Sequence, residues 1–304
     1  MDAVALRVED FRKRYAGIVA VDGISFEAQA GEIFGLLGPN GAGKTTTLEC
    51  LEGIRSPDGG TLRVLGVDPS REAGRLRDLL GVQLQASGLP GDMLVEEAMR
   101  FFCEYHGVPP RGDLIDRFGL GEKRRASYRS LSAGQQRRLA LALAVAHHPK
   151  VVILDEPTAG LDVATRVELH TLIGELRRGG TTVLLATHDM AEAEKLADRV
   201  AILLRGKIVA LGTPRELTAT GASQTRVSIH TESEHDLTGL RLPAVVRSSF
   251  VEGYSVFLSE KPGETVVTLL QEVERRGDTL IDLRVERPSL EERFLQLTGN
   301  QEAE

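Results

Sequence analysis

"GEIFGLLGPNGAGKTT", residues 31–46, joins a short apolar run to a glycine-rich turn and then to a Lys-Thr-Thr helix start. The run is bounded by glycines and made of branched and aromatic residues, the pattern of a strand buried on both faces. Between such a strand and a helix, the spacing Gly-x-x-x-x-Gly-Lys-Thr marks a phosphate-binding loop rather than a glycine-rich turn with an exposed lysine. Gly38, Gly41 and Gly43 let the backbone fold around an anion, and Pro39, Asn40, Ala42 and Thr46 complete the loop. Lys44 is expected to meet the β- and γ-phosphates of a nucleotide, and the Thr45 hydroxyl to ligate Mg²⁺.

A phosphate loop on a buried strand predicts an α/β fold with its ligand at the carboxyl ends of parallel strands. "KVVILDEP" (150–157) and "TTVLLATHD" (181–189) read as two further buried strands. Between them "VATRVELHTLIGELRRGG" (163–180) reads as a helix, with Val163, Val167, Ile173 and Leu176 near helical spacing and a Gly-Gly stop. "RVAILLRGKIVALG" (199–212) reads as a hairpin turning at Arg205-Gly206. Residues from 86 to about 150 begin with a polar, more helical stretch broken at Gly88, Pro90, Pro109, Pro110 and Gly112. They are expected to form an inserted helical subdomain.

Two of the strands end in chemistry. Asp155 and Glu156 close an apolar run, which predicts both carboxylates at the ligand edge of the sheet; Asp155 would hold Mg²⁺ through water and Glu156 would polarise an attacking water. His188 closes another, where an imidazole can sense a γ-phosphate. His147 and His148, near a helix end before Pro149, are read instead as capping or packing residues.

Composition limits the alternatives. The 304-residue chain has a formal net charge of −7; residues 225–304 hold 15 acidic and 9 basic side chains, leaving 29 acidic and 28 basic in the rest. That balance argues against nucleic acid as the main partner. Cys50 and Cys103 have no metal or redox spacing, which favours a reducing cytoplasm. No secretory signal and no apolar run of ~18 residues is evident, so a membrane partner would have to be a separate chain. The only asparagines are Asn40 and Asn300, and neither precedes lysine, which excludes the Asn-Lys-x-Asp guanine reader of a GTPase.

Taken together, Tyr15, "GPNGAGKTT", Gln85, "LSAGQ" (131–135), "VVILDEP", "AGLD" (159–162) and His188 resemble, in order, the motifs of the ATP-binding subunit of ABC transporters over about residues 4–219. The resemblance implies a P-loop NTPase core, Tyr15 stacking on adenine, and Gln85 touching Mg²⁺ and coupling the nucleotide to the helical subdomain, with Gln83 a competitor for that place. It also implies two subunits paired head to tail. Ser132, Gly134 and Gln135 of one copy would then close over ATP on the other, and Asp162 would communicate across the interface. Ala133 stands where that family usually has glycine. Activity is expected to survive this smallest of departures.

After a linker at 212–224, "TRVSIHT", "GYSVFLSE", "ETVVTLLQEVERRG" and "TLIDLRVE" suggest an order near βαββαβ, a small ferredoxin-like α+β sandwich with a weak first helix. A closing helix, "PSLEERFLQLTG" (288–299), resembles the tail of ABC-2-type exporters, the group of daunorubicin-resistance-like efflux ATPases. The expected domains are 1–219 and 220–304. The expected activity is ATP hydrolysis driving efflux through a separate permease, with the subunit cytoplasmic and peripheral on the membrane. Rivals are an importer subunit, separated by the tail motif, and a soluble ABC ATPase. The latter is disfavoured by the short gap between Lys44 and Leu131 and by the single ATPase domain.

Overall fold

A computed structural model describes residues 4–83, 88–219 and 225–299. The chain divides into two compact units, the first ending at Pro214.

In the first unit, β1 (Val4–Tyr15) and β2 (Ile18–Gln29) form an antiparallel hairpin, and β4 (Gly59–Val64) pairs with the other edge of β1. The larger sheet has six strands in the order β5 (Leu80–Gln83), β6 (Val151–Asp155), β7 (Thr182–Thr187), β3 (Ile33–Leu37), β8 (Arg199–Leu204) and β9 (Lys207–Gly212). Its first five strands run parallel and β9 returns antiparallel. Every residue of β3, β6 and β7 is buried, which explains why the three read as unbroken apolar runs. Arg205 and Gly206, both at positive φ, make the tight turn from β8 to β9.

Helix α1 (Lys44–Leu51) follows the phosphate loop and places Leu48 and Leu51 in the core between the two sheets. That core includes Phe26 of β2 stacked on Phe34 of β3 at 5.0 Å. Burying such a side chain contributes roughly 1.5–3 kcal/mol. After a short α2 (Ala73–Arg77) and β5, residues 88–150 hold α3 (Val95–Tyr105), α4 (Gly112–Arg117) and α5 (Ala133–Ala144). Helix α6 (Val163–Arg178) precedes β7, and α7 (Met190–Leu196) follows it. The inward face of α6 differs from the expected stripe: Leu169, His170 and Ile173 are buried, whereas Val163 and Val167 are exposed. Asp162 caps its first turn, accepting from the Thr165 N–H at 2.9 Å.

α8 (Pro214–Ala219) spans the boundary between the units. The second unit contains β10 (Thr225–Thr231), β11 (Val245–Val251), β12 (Tyr254–Ser259), α9 (Pro262–Arg275), β13 (Leu280–Glu286) and α10 (Leu290–Gly299). Its sheet is antiparallel throughout, in the order β11-β12-β10-β13. Leu269 and Val273 of α9 pack with Val227, Ile229 and Phe257. No helix occupies residues 232–244, so the sandwich lacks the first helix of a βαββαβ unit. Asp236 Oδ1 instead accepts from the Thr238 backbone N–H and hydroxyl at 2.8 and 2.6 Å, a local turn that competes with helix; Gly239 and Pro243 follow. Leu237 fills the place against the sheet. Ser289 and Glu292 cap α10 reciprocally, as its Pro-Ser start suggests.

Candidate nucleotide site

β3 delivers the chain to residues 38–43 with α1 starting at Lys44. Gly43 lies at φ 107°, and a Cβ there would come within 2.6 Å of the Ala20 carbonyl of β2. Only glycine allows this approach, which sets the β1–β2 hairpin against the loop. Asn40, Gly41 and Thr45 are exposed along its rim, while Ala42 is buried. The Ala42 N–H donates to the Pro39 carbonyl at 3.1 Å. Thr46 is half-buried.

Lys44 is 5 % exposed, and its ammonium donates to the Gly38 carbonyl at 2.7 Å and the Pro39 carbonyl at 3.3 Å. Its third neighbour is Glu156 Oε1 at 3.5 Å. The other Glu156 oxygen accepts from His188 Nδ1 at 2.7 Å. Lys44, Glu156 and His188 therefore form one chain of charge-assisted contacts from the loop to the end of β7. Glu156 has φ 49°, an uncommon conformation for a side-chain-bearing residue. Its own N–H is held by the Ala186 carbonyl at 2.9 Å.

Asp155 ends β6 one residue earlier, on the α1 side of the sheet. Its Oδ2 accepts from the Thr45 hydroxyl at 3.3 Å, and its Oδ1 is buried with no hydrogen-bond partner. Burial pushes this carboxyl above its usual range, and the Thr45 hydrogen bond pulls the other way. A buried carboxylate with one orphaned oxygen beside a hydroxyl is a hard-oxygen pair that suits Mg²⁺.

The structure thus brings Lys44, Thr45, Asp155, Glu156 and His188 together. Gln85 lies outside the described residues. Gln83 is 1 % exposed at the end of β5, and neither of its amide atoms has a partner. Tyr15 ends β1, with its hydroxyl buried and unpartnered and its ring flanked by the Arg55 guanidinium at 5.3 Å and Lys13 Nζ at 5.5 Å.

Ser132, Gly134 and Gln135 form the start of α5 against α6. The Ser132 hydroxyl accepts from the Gln135 N–H at 3.2 Å while Gln135 Oε1 accepts from the Ser132 N–H at 3.0 Å, a reciprocal cap. A Cβ on Gly134 would meet Thr165 Cγ2 at 2.5 Å. Thr165 is itself bound by Asp162, whose carboxylate accepts from its N–H at 2.9 Å and its hydroxyl at 2.8 Å. These bonds hold the Asp162 carboxyl below its usual range. Ala133 is exposed at the first position of the helix. His147 stacks on His106 at 3.7 Å, and burial lowers its pKa to about 4; its role is packing.

Sequence reading passed over a buried cluster behind the site. Glu192 of α7 accepts from the Thr158 hydroxyl at 2.6 Å and lies 3.2 Å from His170 Nε2 of α6. The available signal was an acid beside Met190 and Ala193 at buried positions of a short helix, too short for periodicity to register it.

The chain is similar to known proteins over most of its length. A family model described as ABC transporter matches residues 21–159. The Nod factor export ATP-binding protein I of Ralstonia nicotianae is 37 % identical, covering 97 % of this chain and 94 % of that protein. The daunorubicin resistance ATP-binding protein DrrA3 of Streptomyces coeruleorubidus is 33 % identical, covering 99 % and 98 %. Among solved structures, cbiO1 of Clostridium perfringens, part of the ABC transporter complex cbiONQ, superposes with a TM-score of 0.66 at 31 % identity, covering 72 % of this chain and 92 % of that one.

Proposed function

This chain belongs to the ABC transporter family of ATP-binding proteins, and we propose that it is the ATP-hydrolysing subunit of an ABC-2-type exporter, driving efflux through a separate membrane permease. The observation that carries the reading is the convergence of Lys44, Thr45, Asp155, Glu156 and His188 at the carboxyl ends of three adjacent strands.

Each residue then has a task. Backbone N–H groups of 38–46 and the Lys44 ammonium bind the β- and γ-phosphates. On phosphate binding Lys44 exchanges its loop carbonyls for phosphate oxygens. Glu156 accepts a proton from the attacking water, and His188 holds Glu156 in place through Nδ1 while its other ring nitrogen serves the γ-phosphate. Thr45 and Asp155, with Gln85, would hold Mg²⁺, which when bound neutralises charge on the phosphate oxygens. Tyr15 stacks on adenine, a role in which the purine competes with Arg55 for the ring face.

Ser132, Gly134 and Gln135 serve the ATP of a second copy, with the positive end of α5 directed at its γ-phosphate, and Asp162 reports across that interface. Residues 1–219 act as the ATPase domain and 220–304 as an accessory domain. Among the described residues no helix is long and apolar enough to cross a membrane, which fits a peripheral subunit on the cytoplasmic side, held by the permease.

The experiment is phosphate release from Mg²⁺-ATP by the purified chain, with Lys44→Ala as control. Turnover by the natural chain and its loss in the variant support the reading; equal turnover by both overturns it.

A further inference from the structure

The Glu192 cluster joins three segments that leave the hydrolytic site. Thr158 is two residues after Glu156, His170 is on the helix capped by Asp162, and Glu192 is on the helix that Asp189 caps immediately after His188. Thr158, His170 and Glu192 are 3 %, 6 % and 2 % exposed. One oxygen, Glu192 Oε1, accepts from both the Thr158 hydroxyl and His170 Nε2, while Oε2 and His170 Nδ1 have no partner. A second tie between α6 and the cap of α7 is Arg166 to Asp189 at 3.4 Å.

A buried carboxylate with a half-satisfied set of bonds is costly beside an apolar residue of the same size. Fold stability alone would be better served by leucine at this buried position. What the carboxylate provides is direction: it fixes the chain beyond Glu156 relative to the chain beyond His188. Below the site, the same two residues are set by the pairing of β6 with β7, where Asp155 faces Ala186. The 2.7 Å Glu156–His188 contact is thus clamped from both sides.

We infer that Glu192 is a positioning residue of the hydrolytic site, which holds His188 against Glu156 by tying α7 to Thr158 and His170, so that the 157–162 loop and His188 move as one piece. The inference rests on the ATPase reading above.

A double-mutant cycle tests it. Glu192→Ala is expected to lower kcat for ATP about 10- to 100-fold while KM and ATP binding change less than about twofold. In a His188→Ala background the same change is expected to cost less than about twofold more, because the residue it positions is gone. Thr158→Val, which keeps the shape and removes one donor, is run in parallel and is expected to follow the same non-additive pattern if Glu192→Ala does not fold. Additive losses in the cycle, or an unchanged kcat in Glu192→Ala, overturn this inference and leave the ATPase reading intact. An unchanged kcat in His188→Ala overturns both it and the role given to His188.

Discussion

His188 Nδ1 lies 2.7 Å from Glu156 Oε2, and the other Glu156 oxygen lies 3.5 Å from Lys44 Nζ. The carboxylate proposed to act on water is therefore held at both ends, by a phosphate-loop cation and by a half-exposed imidazole at the end of the neighbouring strand. Replacing His188 by alanine should free one end. We expect kcat to fall about 10²-fold or more with ATP affinity little changed. Single-turnover phosphate release beside equilibrium nucleotide binding separates the two effects.

The metal-holding role proposed for Asp155 has a cost in stability. Its carboxyl is pushed up by burial, so its ionised form is penalised in the fold; the penalty is absent at low pH, where both folded and unfolded chains are protonated, and full once pH exceeds the raised value. Asp155→Asn should therefore stabilise the nucleotide-free chain at neutral pH by about 1–2 kcal/mol while Mg²⁺-dependent turnover drops about 100-fold. Thermal melts with and without Mg²⁺-ATP check both halves. A variant that melts lower and turns over normally contradicts the assignment.

Glu52, at the end of α1, is pushed up to about 7, first by burial and then by the charges of Asp155 and Glu49, and neither of its oxygens has a partner. The unfolded chain ionises this group near 4.3, so between about 4.3 and 7 the folded state keeps a proton that the unfolded state loses. Stability falls as pH rises through that window. Glu52→Gln should raise unfolding free energy by up to about 3 kcal/mol at pH 8, with the gain falling to about 1 kcal/mol at pH 5 and vanishing below about pH 4. Urea titrations at the two pH values measure it.

The stretch 131–135 separates its two small residues. Gly134→Ala would drive a methyl into Thr165 Cγ2 and should cost about 1–3 kcal/mol, with Thr165→Ser restoring part of it because serine keeps the hydroxyl that binds Asp162. Ala133→Gly, on an exposed first turn, should change hydrolysis by less than about threefold. Melting curves and ATPase rates for the three variants check the contrast.

Much of this was legible in the sequence for a physical reason: strands buried on both faces must be apolar throughout, so a polar residue ending one is conspicuous. Asp155, Glu156 and His188 all stand at such ends, and Lys44 opens the helix after the phosphate loop that follows a third. The turn at Arg205-Gly206 was visible because turn chemistry is local. What escaped was mostly non-local. The exposure of Val163 and Val167 depends on which face α6 turns inward; the missing helix at 232–244 is the local exception, where a side-chain turn at Asp236 outcompetes a short helix. The Glu192 cluster needed three segments far apart in sequence to meet.

The central claim, that Glu156 acts on water while the rest of the site binds ATP between two copies, is tested most directly in Glu156→Gln. Phosphate release and molar mass by light scattering are followed together in Mg²⁺-ATP. The account predicts retained ATP binding, turnover lowered about 10²-fold or more, and a doubled mass that persists while ATP is present. Turnover at the rate of the natural chain would contradict it.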